Sequence, residues 1–155
     1  MSAFHDEVQE LKTRYPDWRS ATLPALRLAQ EKHGHLSPDA LRECADALGT
    51  TPAFCQSVAS FYDMFHLEPT GRHLVEVCTN VSCALAGAQQ VLEAFERELD
   101  VAAGGTTGDG EVTLRPIECL GGCGWATIVA VDHRYRTHVK PDDVPAIVQE
   151  LSRGE

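Results

Sequence analysis

The chain has no hydrophobic run long enough to cross a bilayer. Its longest apolar stretch, ATIVAV from Ala126 to Val131, is six residues, where a spanning helix needs about 20. Direct membrane insertion is therefore not expected. The opening MSAFHDEVQE lacks a basic n-region and an apolar h-region, so no secretory signal is expected. The cytoplasm is the expected location, including the cytoplasmic face of a membrane if the chain serves in a larger complex. Basic residues are scarce: 13 Lys and Arg stand against 23 Asp and Glu, for a net charge of −10. The deficit runs throughout, with −4 over residues 1–71 and −6 over residues 72–155. Such a surface repels phosphates, which excludes nucleic acid as a partner. No C-x-x-C occurs, so the usual dithiol redox motif is missing. There is no internal repeat, no low-complexity segment and no arrangement of nucleophile and base that predicts turnover.

What is present is enough apolar residue, 43% of 155, to build a buried core. Residues 1–71 read as a helical region. Phe4, Val8, Leu11 and Tyr15 follow one helical face up to Pro16. A second helix is expected from Thr22 to His33, closed by Gly34. Ser37-Pro38-Asp39 and Thr51-Pro52 are helix starts, each a hydroxyl cap followed by proline. Leu41, Cys44 and Leu48 form one buried stripe, and Phe54, Val58, Phe61 and Phe65 another. Cys44 and Cys55 lie in these helices and read as small buried hydrophobes.

Glu68-Pro69-Thr70-Gly71 reads as a linker, and residues 72–155 as a second domain. A strand from His73 to Val77 runs into Cys78. A helix from about Cys83, capped by Ser82, turns Leu85, Ala88, Leu92, Phe95 and Leu99 to one side. Residues 103–110, AGGTTGDG, form the most loop-like segment. Strands are expected over 111–117, where Pro116 suggests a sheet edge, and over 127–131 and 135–139. A helix opening at Pro141 turns Val144, Ile147, Val148 and Leu151 inward. The fold class is α+β or α/β: helices first, then βαββα.

Four cysteines fall in two pairs, Cys78 with Cys83 and Cys119 with Cys123, each in the loop after a strand. In open sheets such loops share one crevice, so four sulfurs can converge. The spacings C-x4-C and C-x3-C admit an iron–sulfur cluster, a structural zinc or unrelated thiols. The glycines of Leu120-Gly121-Gly122-Cys123-Gly124 favour a cluster, because backbone amides can approach its sulfurs. A cap at Ser82 would put Cys83 at a helix N-terminus, with its partial positive charge. With four cysteines to complete a ligand set, His133 and His138 are left as ordinary histidines.

CTNVSC followed by ECLGGCG resembles the thioredoxin-like [2Fe–2S] ferredoxins. LPALRLAQEKHGHLSPDAL and SVASFYDMF resemble the helical preface of one branch, the NuoE-type small subunit of NADH:quinone oxidoreductase (complex I). Relatives of that branch serve NAD-reducing hydrogenases and formate dehydrogenases. The resemblance covers about Tyr15 to Leu151. It implies a helical bundle before a thioredoxin-like domain, and one [2Fe–2S] cluster on Cys78, Cys83, Cys119 and Cys123. It also implies a flavoprotein partner that binds FMN and NADH, beside further iron–sulfur subunits. Two positions depart from the pattern. Trp125-Ala126-Thr127 replaces a small or polar residue followed by Ala-Pro, and Ser60 replaces the usual threonine.

Overall fold

The computed structural model describes residues 3–153. They fall into two compact units, Met1–Pro69 and Thr70–Glu155.

The first unit is helical: α1 (Ala3–Lys12), α2 (Thr22–His33), α3 (Pro38–Leu48) and α4 (Pro52–Ala59), with a 3-10 turn at Trp18–Ala21. The starts of α3 and α4 follow from their caps. Ser37 accepts from the Ala40 amide and Thr51 from the Phe54 amide, each at 3.2 Å. The following prolines sit where a backbone donor would lack a partner anyway. Gly49 ends α3 at φ +77°, a left-handed geometry that glycine adopts without cost from a Cβ. The core joins Phe4 and Val8 of α1, Ala25, Leu26 and Ala29 of α2, Leu41, Cys44 and Leu48 of α3, and Cys55 and Ala59 of α4. Alanines at these positions let the helices approach closely. Helix α4 ends earlier than its apolar stripe suggests. Phe65 returns to the core, but Phe61 lies beyond the helix and is 79% exposed. Tyr15 likewise lies outside α1 and is 38% exposed.

The second unit holds a four-stranded sheet of order β2-β1-β3-β4. Its strands are β1 (His73–Cys78), β2 (Val112–Ile117), β3 (Val129–Val131) and β4 (Arg134–Arg136). Strand β1 runs parallel to β2 and antiparallel to β3. In register, Leu114, Val75 and Val131 form one row across the sheet. Two helices precede β2, α5 (Val81–Leu85) and α6 (Ala88–Leu99), and α7 (Val144–Arg153) closes the unit. Val75 and Val77 face a core shared with Val91, Leu92 and Phe95 of α6 and with Val144, Ile147 and Leu151 of α7. Strand β1 is buried along nearly its whole length, so its polar–apolar alternation is weak. The exception is Glu76, 6% exposed, whose partner Arg115 stands opposite it in register with Nη1 at 3.8 Å from Oε1.

Several expectations shift. The helix expected from Cys83 to Leu99 is two helices, α5 and α6, divided at Ala86 and Gly87. Gly87 has φ +98°, which ends one helical run and caps the next. Leu85 therefore leaves the apolar face and is 86% exposed. The cap of α5 is Asn80 rather than Ser82. Strand β4 is Arg134–Arg136, not 135–139, because Asp132 and His133, at φ +47° and +64°, form a two-residue hairpin turn. The glycine-rich segment is not free: Gly104 N–H donates to Leu114 O at 2.8 Å, and Leu114 N–H to Gly105 O at 3.0 Å. These bonds cover the outer edge of β2, the edge on which Pro116 was expected. Among the described residues, no helix is long and apolar enough to cross a membrane.

Candidate functional site

Strands β1 and β2 are parallel, and Cys78 is in register with Ile117. Both chain segments therefore leave the sheet at the same end, side by side. Thr79 fastens the exit: its amide donates to Ile117 O at 2.9 Å and its hydroxyl to the same oxygen at 3.1 Å. Cys78 donates its amide to Ile128 O at 3.1 Å and is 4% exposed. Asn80 then accepts from the Val81 amide at 2.8 Å and opens α5.

Cys83 lies inside α5 and is 2% exposed. It packs with Cys78, Ala88, Ile117 and Ile128 in a small apolar cluster flanked by Leu120 and Ala126. Burial raises the Cys83 thiol above its ordinary value, opposed by a hydrogen bond from the Ile128 backbone N–H. A hydrogen bond shared with Cys78 and the nearby Cys123 push the same way as burial. Because Cys83 is the third residue of a five-residue helix capped by Asn80, the helix-terminus charge expected at this thiol does not come from a Ser82 cap. The nearby amide of Ile128 supplies a donor instead.

Cys119 follows β2 and is exposed. The Gly121 N–H donates to its sulfur at 3.3 Å, from a residue at φ +72°. Cys123 is exposed and begins a 3-10 turn, Cys123–Trp125, closed by the Trp125 amide on Gly122 O at 2.9 Å. This turn lies against α5. Behind it, Thr127 is buried and donates to Ala86 O at 3.4 Å. His138 donates its amide to Trp125 O at 2.9 Å, so its backbone supports the loop. Both His133 and His138 are exposed.

Cys83 thus shares a hydrogen bond with Cys78, and Cys123 is near enough to act on its charge. Cys119 stands in the adjoining loop. Among the described residues, no three or more His, Cys, Asp and Glu side chains are drawn together closely enough to hold a metal ion as they stand. The donor set nevertheless fits a [2Fe–2S] group. It offers four thiols, two shielded and two facing outward, with amide donors already aimed at two of the sulfurs. Sequence reasoning missed the Ile128 amide, whose role depends on β3 pairing with β1. It also missed that Cys44 and Cys55 are neighbours. The Cys44 thiol donates to the Cys55 sulfur, holding Cys44 protonated and lowering Cys55. Both are fully buried in the helical core.

The family model for the thioredoxin-like [2Fe–2S] ferredoxin matches residues 8–152. An E-type subunit of the NADH-quinone oxidoreductase of Rhizobium meliloti is 39% identical over 97% of this chain and 89% of its own length. Its counterpart in the NADH-quinone oxidoreductase of Mycobacterium tuberculosis is 42% identical over 94% of this chain, which spans 58% of that longer relative. Among solved structures, an NAD+-reducing [NiFe]-hydrogenase superposes with a TM-score of 0.72 over 83% of this chain and 23% of the hydrogenase chain. At 19% identity that likeness speaks for the fold. Two strand-end cysteine loops, the mixed four-stranded sheet and a match over nearly the whole sequence make this chain a member of the thioredoxin-like [2Fe–2S] ferredoxin family.

Proposed function

We propose that this protein is the electron-transfer iron–sulfur subunit of an NADH dehydrogenase module in an NADH:quinone oxidoreductase. Cys78, Cys83, Cys119 and Cys123 hold its one [2Fe–2S] cluster. When bound, the cluster takes up and returns one electron at a time. The chain's own residues supply the setting. Cys78 and Cys83 anchor the buried side, where Ile117 and Ile128 keep water away. Cys119 and Cys123 lie on the exposed side, toward which electrons must arrive. The amides of Ile128 and Gly121 point at thiolate sulfur and stabilise negative charge there, which favours the reduced state.

The observation that carries this reading is the register of Cys78 with Ile117. It sets the two cysteine loops at one sheet end within a family named for its cluster. FMN and NADH belong to a flavoprotein partner, with further iron–sulfur subunits beyond it. This chain performs no turnover of its own. The work is done at the cytoplasmic face of a membrane that the chain does not enter. The same role in an NAD-reducing hydrogenase or formate dehydrogenase is the second reading. Identities of 39% and 42% to the quinone oxidoreductase subunits, against 19% to the hydrogenase, favour the first.

The test is anaerobic purification of the chain with its flavin-bearing partner. Reduction by NADH or by dithionite is expected to give the EPR signal of one [2Fe–2S] centre, lost in Cys119→Ser and Cys123→Ser. A wild-type sample without that signal, or with zinc and no acid-labile sulfide, defeats the reading.

A further inference from the structure

We propose that Cys44 and Cys55 are a second redox site, a dithiol that hydrogen peroxide closes to a disulfide joining α3 to α4. This goes beyond the electron-transfer reading and does not depend on it. The two are the only cysteines of residues 1–69. Cys44 lies on α3 and Cys55 on α4, and both are fully buried in one core. There the Cys44 thiol donates to the Cys55 sulfur, so the two side chains meet through their reactive atoms. Elsewhere in this core the small residues are alanines, among them Ala25, Ala29, Ala45 and Ala59. Close approach of α3 and α4 asks only for a small side chain, which alanine supplies. Two thiols in hydrogen-bond contact add a reaction that alanine cannot perform.

The contact sets the roles. It keeps the proton on Cys44 and lowers Cys55 below the ordinary thiol value, and the thiolate is the nucleophile of sulfur chemistry. Cys55 therefore attacks first. Its sulfur takes one oxygen of hydrogen peroxide: the O–O bond breaks, an S–O bond forms, and the departing hydroxide leaves as water with the Cys55 proton. The product is a sulfenic acid. The Cys44 sulfur then attacks that of Cys55. The S–S bond forms, the S–O bond breaks, and the released hydroxide takes the Cys44 proton as a second water. Two thiols lose two electrons, and one peroxide gains them. Size selects the oxidant. Neither residue has exposed surface, so a bulky disulfide donor is shut out. A cavity of about 400 Å³ lies beside the same helix pair, lined by Leu41 of α3 and by Pro52 and Gln56 of α4. Leu41 is one turn from Cys44 and Gln56 is next to Cys55. A water-sized oxidant therefore needs only a local opening of α4, a helix of eight residues.

The experiment uses the full, cluster-loaded chain, kept anaerobic and treated with hydrogen peroxide. The protein is then denatured, free thiols are alkylated with iodoacetamide, and the unreduced chain is cut with trypsin. Cleavage after Arg42 and Arg72 leaves both cysteines on one peptide, 43–72. That peptide is expected to be two hydrogens lighter than the dithiol and to carry no alkyl group, and to gain two after dithiothreitol. Cys44→Ser keeps a hydroxyl donor for Cys55 and stops the reaction at the sulfenic acid, which dimedone traps. Dimedone labelling of Cys55 in Cys44→Ser is expected to exceed that of Cys44 in Cys55→Ser by about tenfold or more. Equal labelling overturns the order of attack. A wild-type peptide 43–72 that still takes up two alkyl groups after peroxide, or that gains oxygen without losing two hydrogens, overturns the site. A disulfide from Cys44 or Cys55 to one of the four loop cysteines overturns the pairing.

Discussion

Gly122 occupies a position that admits no side chain. A Cβ there would lie 2.9 Å from Cδ1 and Cγ1 of Ile128, a fully buried residue with little room to retreat. Ile128 also gives its amide to Cys83, so displacement of Ile128 would disturb a thiol in the other loop. Gly122→Ala is expected to destabilise the second unit by about 1–3 kcal/mol and to lower cluster occupancy, measured as iron per chain and by chemical denaturation. Cys44→Ala is the contrasting case. It removes a buried sulfur from the helical core and strands the Cys55 thiol without its donor. A loss of about 1–2 kcal/mol is expected, with the EPR signal intact; loss of the signal would show that the ligand set is misassigned. The four loop thiols are legible as a group from spacing alone. The closeness of Cys44 to Cys55 is not, because it depends on how α3 and α4 pack.

At the scale of elements, capping residues wrote most helix boundaries into the sequence. Ser37-Pro38, Thr51-Pro52, Gly34 and Gly49 act through local hydrogen bonds and local dihedrals, so no tertiary information is needed to read them. The break between α5 and α6 was harder. Apolar periodicity runs through Leu85 and Ala88 as though one helix continued, while Gly87 at φ +98° ends it. Periodicity reports a face and does not report its interruption. Helices α2 and α3 are also tied by charge. Lys32 Nζ lies 2.6 Å and His33 Nε2 2.8 Å from the two Glu43 oxygens. Hydrogen bonds from Lys32, then His33, lower the Glu43 carboxyl below its ordinary 4.5. The folded state therefore holds this proton less tightly than the unfolded chain. The resulting stabilisation is present above about pH 4.5 and is lost as pH falls through the depressed folded value. Glu43→Gln is expected to lower Tm slightly at pH 7 and by less at pH 3, read by thermal denaturation at both. The effect is small because all three side chains are partly exposed. An equal loss at both pH values would assign the effect to packing rather than charge.

For the whole molecule, a net charge of −10 fits the proposed role of a subunit that works through partners. The cluster-loaded chain alone is expected to show no NADH oxidation with ferricyanide as acceptor, and activity is expected to appear when the flavin-bearing subunit is added. NADH turnover by the purified chain, free of flavin, would contradict its proposed role.

The sequence by itself determined that four thiols fall in two strand-end loops, and its resemblance to the ferredoxin family implied the class of chemistry. Two cysteine pairs at strand ends, the glycines between them and the helical preface are local patterns, fixed by residue type and spacing. It also determined most helix starts and stops, which are set within a few residues. Only the tertiary structure decided that Cys83 is shielded while Cys119 and Cys123 are open. Only there do the Ile128 amide and side chain become part of the site, and only there do Leu85 and Trp125 remain uncovered. The reason is that register and burial depend on which distant segments pair. The parallel contact of β1 with β2 joins residues 39 positions apart and the antiparallel contact of β1 with β3 joins residues 52 to 56 apart, and no local pattern encodes that choice.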